Sequence, residues 1–472
     1  MDAIINNKKS NVKAYNHILQ RNGTQTQKKQ IYRSLCKLFL LISNKKMLLS
    51  VIGYPIAHSL SPVLFDYFST KYHIPLHYSR IAINNIDDFN IFFDNNNYLF
   101  DGFNITYPLK NEIYSRWQKH SDIPFGIKSC NTLICKPNIK IYNTDYLAIR
   151  HIINKEIKDM WDHAIILGSG MTAAVCAWEL INYSKPIIIF YHKNINVDFF
   201  PQTHNIHYKQ LNEFNEITYS NALIINTLSP FANYDFLPNK IFMATAIIDA
   251  DYRNKPLEDI ALKNNINYID GYHWLYYQGI EAFKLFTNQT NLQVEYDEKW
   301  LKNIKYDKIA LIGMSGAGKT TIGKLLAQKI NYEFIDLDDQ IEKKVNKSIS
   351  QIFTDRGEEF FRQLETNTLA ELINNDKIVI STGGGIIKNE KNREILKNNY
   401  FNIFLNVSID EALERLQQNE NRPLLLGNPK DKWQKLYNER LLFYYQTADY
   451  IVNADKINVN LIYEDIKEII KK

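Results

Sequence analysis

The stretch KIALIGMSGAGKT, residues 308–320, decides the fold of the second half of this 472-residue chain. A strand-like run leads into a glycine-rich turn that fits G-x-x-x-x-G-K-[ST], and a helical pattern follows the turn. In this context the backbone N–H groups of such a turn wrap nucleotide phosphates. The sequence therefore predicts ATP or GTP binding, with Lys319 on the β/γ oxygens and Thr320 as a Mg²⁺ ligand. The expected phosphate-binding residues are Gly313, Met314, Ser315, Gly316, Ala317, Gly318, Lys319 and Thr320.

Polar residues follow the next two predicted strands of this half. Asp336 and Asp338 lie in the run FIDLD, where residues i and i+2 of a strand end point the same way. One carboxylate can orient a metal shell while the other accepts a hydroxyl proton, although a helix cap explains this pair equally well. The glycines 383–385 follow the strand-like run KIVI, where they allow close approach of a ligand or simply form a turn.

These segments occur in the order and spacing of a known family. The other matching motifs are FRQLE (361–365), NRPLL (421–425) and RLLFYYQTAD (440–449). The region from Lys308 to the C-terminus resembles shikimate kinase. The resemblance implies that Asp338 binds substrate hydroxyls and is the catalytic base, and that Asp336 lies in the Mg²⁺ shell.

The resemblance also assigns the arginines of this half. Arg422 is implied as a lid residue that closes on ATP and neutralises charge during transfer. Arg415 matches an arginine on the adenine side, although a solvated helix charge is an equal alternative. The implied substrate-binding residues are Arg362, Gly383, Gly384, Gly385 and Arg440. A guanidinium suits the substrate carboxylate because it forms a bidentate fork, whereas an i,i+4 helix pair is the alternative for Arg440.

A second glycine-rich turn lies in the first half of the chain. The strand-like run HAIIL (163–167) enters a G-x-G-x-x-A motif, which is typical of a Rossmann domain that binds pyrophosphate at a helix N-terminus. After the next strand, residues 191–193 read YHK, where an acid would bind the ribose of NAD. Basic residues suit a 2′-phosphate, so NADP(H) is favoured. The expected cofactor-binding residues are Gly168, Ser169, Gly170, Met171, Thr172, Ala173, His192 and Lys193.

The region before this turn supplies polar residues at predicted strand ends. They lie in the segments GYPIAHSLSP (53–62), GFNITYPLK (102–110), SCNT (129–132) and YNTD (142–145). Ser59 and Ser61, two residues apart, can face one ligand. The set suits a small polyhydroxylated ligand that reacts by proton and hydride transfer. No cluster of metal ligands appears in these segments, and the isolated His58 suits a structural role.

Together these segments resemble shikimate dehydrogenase, from Met47 to about Thr290. The resemblance implies that Lys110 and Asp145 are the catalytic pair. Such a pair can supply a proton to the forming alkoxide, whereas an arbitrary Lys and Asp would be a surface salt bridge. The implied substrate-binding residues are Ser59, Ser61, Thr106, Asn131, Tyr252 and Gln278. The family's arginine after the glycine-rich turn and its Asn-Arg-Thr after the next strand are absent, which leaves cofactor preference open.

Composition and charge place the chain among ordinary globular proteins. Hydrophobic residues make up 45% and charged residues 23%, and the length suits two or three domains. Four cysteines without paired spacing fit a reducing compartment, and no apolar stretch is long enough for a transmembrane helix. Residues 1–46 hold 10 Lys/Arg and one acid, whereas the remainder holds 46 basic and 50 acidic residues, which argues against a nucleic-acid surface. The leader is predicted to be a disordered extension of a cytoplasmic protein, with an organelle-targeting presequence as the alternative.

The sequence therefore predicts an α/β protein of several domains. A substrate domain over 47–145, completed by a helix near 271–290, and a Rossmann NADP domain over 146–270 precede a linker at 295–305. A P-loop kinase domain of the nucleoside-monophosphate-kinase type follows over 306–472, and the polar linker predicts that each half works alone. The two resemblances imply NADPH-dependent reduction of 3-dehydroshikimate followed by ATP-dependent phosphorylation of shikimate, with small-molecule substrates as the partners and the oligomeric state open. The rivals are an NAD-using quinate/shikimate dehydrogenase, a gluconate-type kinase, and a regulatory nucleotide-binding module that has lost catalysis.

Overall fold

A computed structural model describes residues 46–158, 160–216, 219–229, 232–236, 243–301, 306–417, 428–455 and 458–470. The predicted leader (except residue 46), residues 302–305 of the predicted linker, and Arg422 lie outside the described residues. In the described part of the chain, no helix has both the length and the apolar character needed to cross a membrane.

The first unit alternates strands with helices. Its elements are β1 (Met47–Gly53), α1 (Ser61–Lys71), β2 (Leu76–Ala82), α2 (Ile86–Asn96), β3 (Gly102–Ile105), α3 (Lys110–Trp117), β4 (Thr132–Ile134) and β5 (Lys140–Tyr142). The apolar run MLLSVIG of β1 is buried almost throughout, as expected for a parallel strand covered on both faces. Asn85 begins α2 by accepting a hydrogen bond from the Asp88 backbone N–H at 2.8 Å.

The second unit is built on a parallel sheet, to which the described residues contribute six strands. Its elements are α4 (Asp145–Ile152), β6 (His163–Leu167), α5 (Met171–Leu180), β7 (Ile187–Tyr191), β8 (Ile206–Gln210), β9 (Ala222–Asn226), β10 (Ala246–Asp249), α6 (Glu258–Lys263), β11 (Asn267–Ile269) and α7 (Gly271–Thr287). The strand order, β11-β10-β9-β6-β7-β8, is that of a doubly wound dinucleotide-binding sheet. The helix α7 returns to pack against α4 and α1, so it lies beside the first unit.

The third unit contains the P-loop. Its elements are β12 (Lys308–Ile312), α8 (Lys319–Ile330), β13 (Glu333–Asp336), α9 (Leu337–Val345), α10 (Ile349–Glu371), β14 (Ile378–Ser381), α11 (Glu390–Asn399), β15 (Phe401–Asn406), α12 (Ile409–Gln417), α13 (Pro429–Thr447), β16 (Tyr450–Asn453) and α14 (Val459–Ile466). Ser348 and Gln351 form a capping box at the start of α10, and Gly357, with φ +79°, breaks that helix. The fold class is α/β, as the sequence predicts.

One sheet joins the first and third units. Its described strands run in the order β13-β14-β12-β15-β16-β2-β1-β3-β4-β5, and every adjacent pair is parallel except β3 with β4 and β4 with β5. The junction is the parallel pair β16 and β2, in which Tyr450 faces Arg80 and Val452 faces Ala82. The carboxyl ends of the parallel strands therefore share one edge, at which ligands bind in α/β sheets. Four strand intervals, or roughly 20 Å, separate β1 from β12.

Side chains also pack across the junction between β16 and β2. The Tyr445 hydroxyl of α13 donates to Asn96 Oδ1 at 3.1 Å, and the Tyr445 ring contacts Phe100 edge-on. His77 Nε2 lies 2.9 Å from the Ala448 carbonyl oxygen. The polar linker predicts halves that work alone, but the structure gives them one sheet and one continuous core.

Candidate active sites

Lys110 and Asp145 form an ion pair beside the carboxyl ends of β1 and β3. Each residue begins a helix, Lys110 in α3 and Asp145 in α4. Lys110 Nζ lies 2.6 Å from Asp145 Oδ2, and both side chains are mostly buried. The second carboxylate oxygen of Asp145 accepts a hydrogen bond from Trp274 Nε1 at 3.3 Å. The pair is therefore fixed from two sides and differs from a solvated surface salt bridge, which suits positioned proton transfer.

Amide and hydroxyl groups surround this pair. Asn131 Nδ2 donates to Thr144 Oγ1 at 3.0 Å and reaches Gln278 Oε1 at 3.5 Å, while its Oδ1 accepts from the Thr144 backbone N–H at 2.7 Å. Thr106 follows β3 directly, and a Cβ on Gly53 would lie 2.4 Å from its Cγ2. Glycine at position 53 is thus needed for the close approach of β1 to the residue after β3. The structure brings these predicted substrate-binding side chains to one strand-end cluster.

The predicted carboxylate-binding serines lie where the loop after β1 meets α1: Ser59 is in the loop and Ser61 is the first residue of the helix. Ser59 Oγ donates to Ser61 Oγ at 3.2 Å, and both residues are buried. The Tyr252 hydroxyl accepts from the Leu60 backbone N–H at 3.2 Å and donates to the His58 carbonyl at 3.4 Å. Burial raises the pKa of Tyr252 to about 12, so the phenol stays protonated at neutral pH. Burial also lowers the pKa of His58 to about 3, which keeps the imidazole neutral.

The glycine-rich turn of the second unit follows β6. Gly168 has φ +112°, and a Cβ there would lie 2.5 Å from Thr227 Oγ1. Apart from the neighbours of Gly170 in the chain, no heavy atom of the described residues lies within 4 Å of the corresponding position on Gly170, so the turn is open there toward the described part of the chain. Ser169 Oγ donates to the Asn194 carbonyl at 3.4 Å. The remaining predicted residues are Met171, Thr172 and Ala173, which form the first turn of α5, and His192 and Lys193, which are exposed just after β7.

The P-loop of the third unit joins β12 to α8. Gly313, Gly316 and Gly318 have φ angles between +84° and +149°, and a Cβ on Gly316 would lie 2.6 Å from the Ala412 carbonyl oxygen. These positions therefore require glycine. Lys319 Nζ donates to the carbonyl oxygens of Gly313 and Met314 at 2.9 and 3.0 Å, so the ammonium lies inside the loop. The other predicted loop residues, Ser315 and Ala317, continue this turn.

The predicted metal ligands lie at the start of α8 and the end of β13. Thr320 Oγ1 donates to Asp336 Oδ2 at 2.8 Å. The other carboxylate oxygen of Asp336 accepts from the Asp338 backbone N–H at 3.1 Å, so Asp336 also caps α9. Asp336 therefore caps α9 with one carboxylate oxygen and faces the predicted metal ligand Thr320 with the other. Hydroxyl and carboxylate oxygens are the ligands that Mg²⁺ prefers.

The glycine triplet after β14 is the centre of a charged cluster. A Cβ on Gly383 would lie 2.9 Å from Glu365 Oε1 and 3.1 Å from Asp338 Oδ1, and one on Gly385 would lie 2.6 Å from Arg362 NH2. Arg440 NH1 donates to the Gly384 carbonyl at 2.9 Å. The close packing excludes side chains from the turn and brings the two predicted substrate arginines to the same short backbone segment.

Glu365 is a fully buried carboxyl within this cluster. Its Oε2 accepts from Arg362 NH1 at 3.0 Å, and Glu358 also accepts from Arg362. Burial raises the pKa of Glu365 to about 7 even though the Arg362 and Arg440 guanidinium groups lower it. Arg362 is thus oriented by two carboxylates on its own helix, one of them buried.

Arg415 lies against the P-loop. Its NH1 reaches the Gly316 carbonyl at 3.4 Å and its NH2 donates to the Ala454 carbonyl at 2.9 Å, while Glu411 forms an ion pair with it. Arg415 is therefore held against the P-loop and is not a solvated charge on the helix surface. The predicted lid residue Arg422 lies outside the described residues.

Several contacting residues carry no role in the sequence analysis. Trp274 contacts Asp145. Trp274 lies one helical turn before Gln278, and this spacing could have indicated from the sequence that both side chains face the same site. The indole of Trp433 donates to the Ser315 carbonyl at 3.1 Å. Tyr444 donates to the Gly384 carbonyl at 2.6 Å and lies one turn after Arg440. Nothing in the sequence distinguishes Trp433 from an apolar core residue, so its contact with the P-loop could not be predicted.

Comparisons with known proteins find relatives for both halves of the chain. The shikimate dehydrogenase substrate binding domain matches residues 51–133, and shikimate kinase matches residues 315–471. The shikimate kinase of Sulfurihydrogenibium sp. (strain YO3AOP1) is 40% identical over 164 residues, which cover 35% of this chain and 98% of that protein. The shikimate kinase of Macrococcus caseolyticus (strain JCSC5402) is 43% identical over 31% of this chain and 86% of that protein.

Solved structures resemble each half separately. Shikimate 5-dehydrogenase from Thermus thermophilus, in complex with NADP(H) and shikimate, is 21% identical with a TM-score of 0.44 and covers 53% of this chain and 95% of that chain. Shikimate kinase from Acinetobacter baumannii, in complex with shikimate, is 35% identical with a TM-score of 0.33 and covers 35% of this chain and 96% of that chain. Because residues 315–471 match the shikimate kinase family and curated kinases align over nearly their full length at about 40% identity, the chain belongs to that family, and it also carries a shikimate dehydrogenase substrate-binding domain.

Proposed function

We propose that this chain catalyses two consecutive reactions. Its first half reduces 3-dehydroshikimate to shikimate with NADPH, and its second half transfers the γ-phosphoryl group of ATP to the 3-hydroxyl of shikimate. The observation that carries the proposal is that the Lys110–Asp145 pair and the P-loop cluster lie at one edge of one sheet. The product of the first reaction is the substrate of the second, which gives the fusion a chemical reason.

In the reduction, the Lys110–Asp145 pair handles the proton. Bound NADPH supplies a hydride to the carbonyl carbon, and the carbonyl oxygen then needs one proton. Lys110 Nζ is the donor in this proposal, and Asp145 Oδ2, 2.6 Å away, orients the ammonium and returns a proton to it from solvent. Trp274 fixes the second oxygen of Asp145, so the carboxylate keeps its direction.

The substrate is held through its carboxylate and its hydroxyls. Ser59 and Ser61 bind the carboxylate in this proposal, because two buried hydroxyls 3.2 Å apart can both donate to one anion. Thr106, Asn131 and Gln278 face the ring hydroxyls with donors and acceptors. Tyr252 stays protonated and accepts from the Leu60 backbone N–H, which lies between the two serines.

The turn after β6 suits the cofactor pyrophosphate. Among the described residues, none crowds Gly170 in front of α5, where helix N–H groups favour an anion. Beyond it, His192 and Lys193 are exposed at the end of β7, the position that faces the ribose of a bound dinucleotide. The lysine charge suits the 2′-phosphate of NADP(H).

In the phosphorylation, Asp338 accepts the hydroxyl proton of the substrate. Bound MgATP supplies the phosphoryl group, and Thr320 and Asp336 would hold Mg²⁺ through a hydroxyl and a carboxylate that already lie 2.8 Å apart. The Lys319 ammonium would leave its two loop carbonyls for the β/γ oxygens. Arg362 and Arg440 bind the substrate carboxylate, and Arg415 with the predicted lid Arg422 completes the nucleotide side.

Two separate steady-state assays test this proposal. NADPH oxidation with 3-dehydroshikimate reports the first half, and ATP-dependent phosphorylation of shikimate reports the second. Turnover in both supports the proposal, whereas nucleotide binding without turnover in either assay would favour a regulatory module. Substrate panels separate the other rivals, because faster reaction of quinate with NAD or of gluconate with ATP would overturn the assignment. The partners remain small molecules in this proposal, with a cytoplasmic location, or an organellar one if residues 1–46 direct import.

A further inference from the structure

The last helix of the kinase half contacts the substrate loop of the dehydrogenase half. Asp465 Oδ1 in α14 accepts the backbone N–H groups of Ile56 and Ala57 at 2.8 and 2.7 Å. Ile56 and Ala57 lie in the loop that carries Ser59 and leads into α1 at Ser61. The Asp465 side chain is 3% exposed, so water does not offer these two amides a ready replacement.

Asp465 is fixed in place by its own half of the chain. Its second oxygen, Oδ2, accepts from the Tyr450 hydroxyl of β16 at 2.8 Å. The helix α14 packs against α8, the helix that follows the P-loop. Burial raises the pKa of Asp465, while the two amide donors, the Tyr450 hydroxyl and the Arg80 guanidinium lower it. The carboxylate is therefore a rigid acceptor that reaches from the kinase half into the dehydrogenase half.

Arg80 holds the same loop through a different group. It lies in β2 and is 3% exposed, and its Nε and NH2 donate to the Ser59 carbonyl at 3.0 and 2.7 Å. Its backbone N–H donates to the Asp449 carbonyl across the junction at 3.0 Å, and its guanidinium lies over the Phe401 ring. The arginine that orients Ser59 is thus itself covered by residues of the kinase half.

We infer that Asp465 is a positioning residue of the dehydrogenase site and that the kinase half completes that site. The two hydrogen bonds to Ile56 and Ala57 fix the backbone just before the serine pair, and Arg80 fixes the carbonyl within it. The inference rests on the proposed function, since it takes Ser59 and Ser61 as the residues that bind the substrate carboxylate. Without Asp465, the loop would lose the acceptor of two hydrogen bonds and the serine hydroxyls would shift relative to Lys110.

The test uses the full chain with three substitutions at two neighbouring positions. Asp465→Ala removes both acceptor oxygens, Asp465→Asn keeps a neutral carbonyl that can still accept both amides, and Glu464→Ala is the control. Glu464 lies on the same helix, but its side chain is exposed and pairs with Lys467. Three quantities are measured for each variant: the KM for 3-dehydroshikimate, the KM for NADPH, and the kinase turnover with shikimate.

The expected order of KM for 3-dehydroshikimate is wild type equal to Glu464→Ala, then Asp465→Asn, then Asp465→Ala. The last should be raised by about 10–100-fold, the usual cost of misplacing a binding group by about 1 Å. The KM for NADPH and the kinase turnover should stay near wild type, a split that general destabilisation would not give. Amide hydrogen exchange of residues 54–60 should be faster in Asp465→Ala than in Glu464→Ala.

Equal KM for 3-dehydroshikimate in wild type and Asp465→Ala, with unchanged exchange of residues 54–60, would overturn the inference while the proposed function stands. A wild-type chain that does not reduce 3-dehydroshikimate would overturn the proposed function and this inference with it. If Asp465→Ala does not fold, Asp465→Asn and Tyr450→Phe replace it. Each weakens the hydrogen bonding that holds residue 465 against Ile56 and Ala57, and each still leaves an oxygen that can accept from the two amides. Wild-type KM values in both of these variants would also overturn the inference.

Discussion

Tyr450 of the kinase half faces Arg80 of the dehydrogenase half across a parallel strand pair, and this pairing makes two enzyme halves one sheet. Arg80 is buried there and binds the Ser59 carbonyl, while the Tyr450 hydroxyl binds Asp465. Each half therefore places structural groups against the other, although each keeps its own set of reacting side chains.

Separating the halves should weaken both. Residues 47–300 and 305–472, produced as separate chains, would each expose an unpaired edge, β2 in one and β16 in the other, and leave Arg80 without its cover. We expect lower melting temperatures than for the full chain, reduced dehydrogenase kcat/KM, and partial recovery when the two chains are produced together. Thermal unfolding and steady-state assays measure this. Full activity and stability of each separate chain would support the independence that the polar linker suggests.

The catalytic pair can be tested without disturbing the kinase. Lys110→Ala or Asp145→Asn should lower dehydrogenase turnover by about 10²–10⁴-fold, the usual contribution of positioned proton transfer. Shikimate phosphorylation should not change. Lys119→Ala, an exposed lysine in the same unit, is the matched control. Wild-type reduction by Lys110→Ala would show that another group delivers the proton.

Cofactor choice should depend chiefly on Lys193. Loss of its exposed charge-assisted contact should raise the KM for NADPH by about 5–30-fold, equivalent to about 1–2 kcal/mol, and leave NADH use nearly unchanged. Steady-state kinetics of Lys193→Ala with both cofactors measure the change, and Lys263→Ala in α6 is the control. Equal kcat/KM for the two cofactors in the wild type would contradict the preference, and an unchanged ratio in Lys193→Ala would move the role to His192.

The buried Glu365 should make stability depend on pH. Its pKa is raised from the ordinary value of 4.5 to about 7 by burial, so between these values the folded chain binds more protons than the unfolded chain. Stability from this group is therefore greatest at low pH and falls as pH rises toward 7. Relative to Glu365→Gln, the wild-type free energy of unfolding should fall by roughly 1–3 kcal/mol between pH 5 and pH 8. Denaturant unfolding across this range measures the difference, with the exposed Glu359→Gln as control; a difference that does not vary with pH would contradict the expectation.

Arg440 should matter for shikimate and not for ATP. Arg440→Lys keeps the charge but loses the fork that can hold a carboxylate with two hydrogen bonds, so the KM for shikimate should rise by about 10-fold or more. The KM for ATP should change little, because Arg440 contacts the glycine turn rather than the P-loop. Lys435→Ala, exposed on the same helix, should behave as wild type. An ATP KM that rises as much as the shikimate KM would contradict this role.

Individual strands and helices could be predicted from the sequence because their signals are local. Strands such as His163–Leu167 and Lys308–Ile312 coincide with β6 and β12, since a short apolar run before a glycine turn has few alternatives. The helix predicted near 271–290 is α7, Gly271–Thr287. Within each site, the residues of separate sequence motifs lie close together, because the carboxyl ends of parallel strands share one edge of the sheet.

The junction could not be predicted in this way. Pairing of β16 with β2 joins residues far apart in sequence, and both strands are short runs that would serve equally well as sheet edges. Asp465 is an acid in a short terminal helix, which sequence reads as a solvated charge, and only its burial against Ile56 and Ala57 reveals another role. Trp433 and Glu365 are similar cases. The sequence suggests an apolar core residue for Trp433 and a surface charge for Glu365, whereas the structure shows that Trp433 contacts the P-loop and that Glu365 is buried against Arg362.

The most direct measurement of the two-reaction proposal follows carbon through both sites of one preparation. Full chain, 3-dehydroshikimate, NADPH, ATP and Mg²⁺ are mixed, and shikimate and its phosphate are quantified by mass spectrometry. The account predicts one NADPH and one ATP consumed per shikimate 3-phosphate formed. Lys319→Ala should accumulate shikimate, and Lys110→Ala should form product only when shikimate is added. Absence of NADPH oxidation, or a phosphorylated product other than shikimate 3-phosphate, would contradict the account.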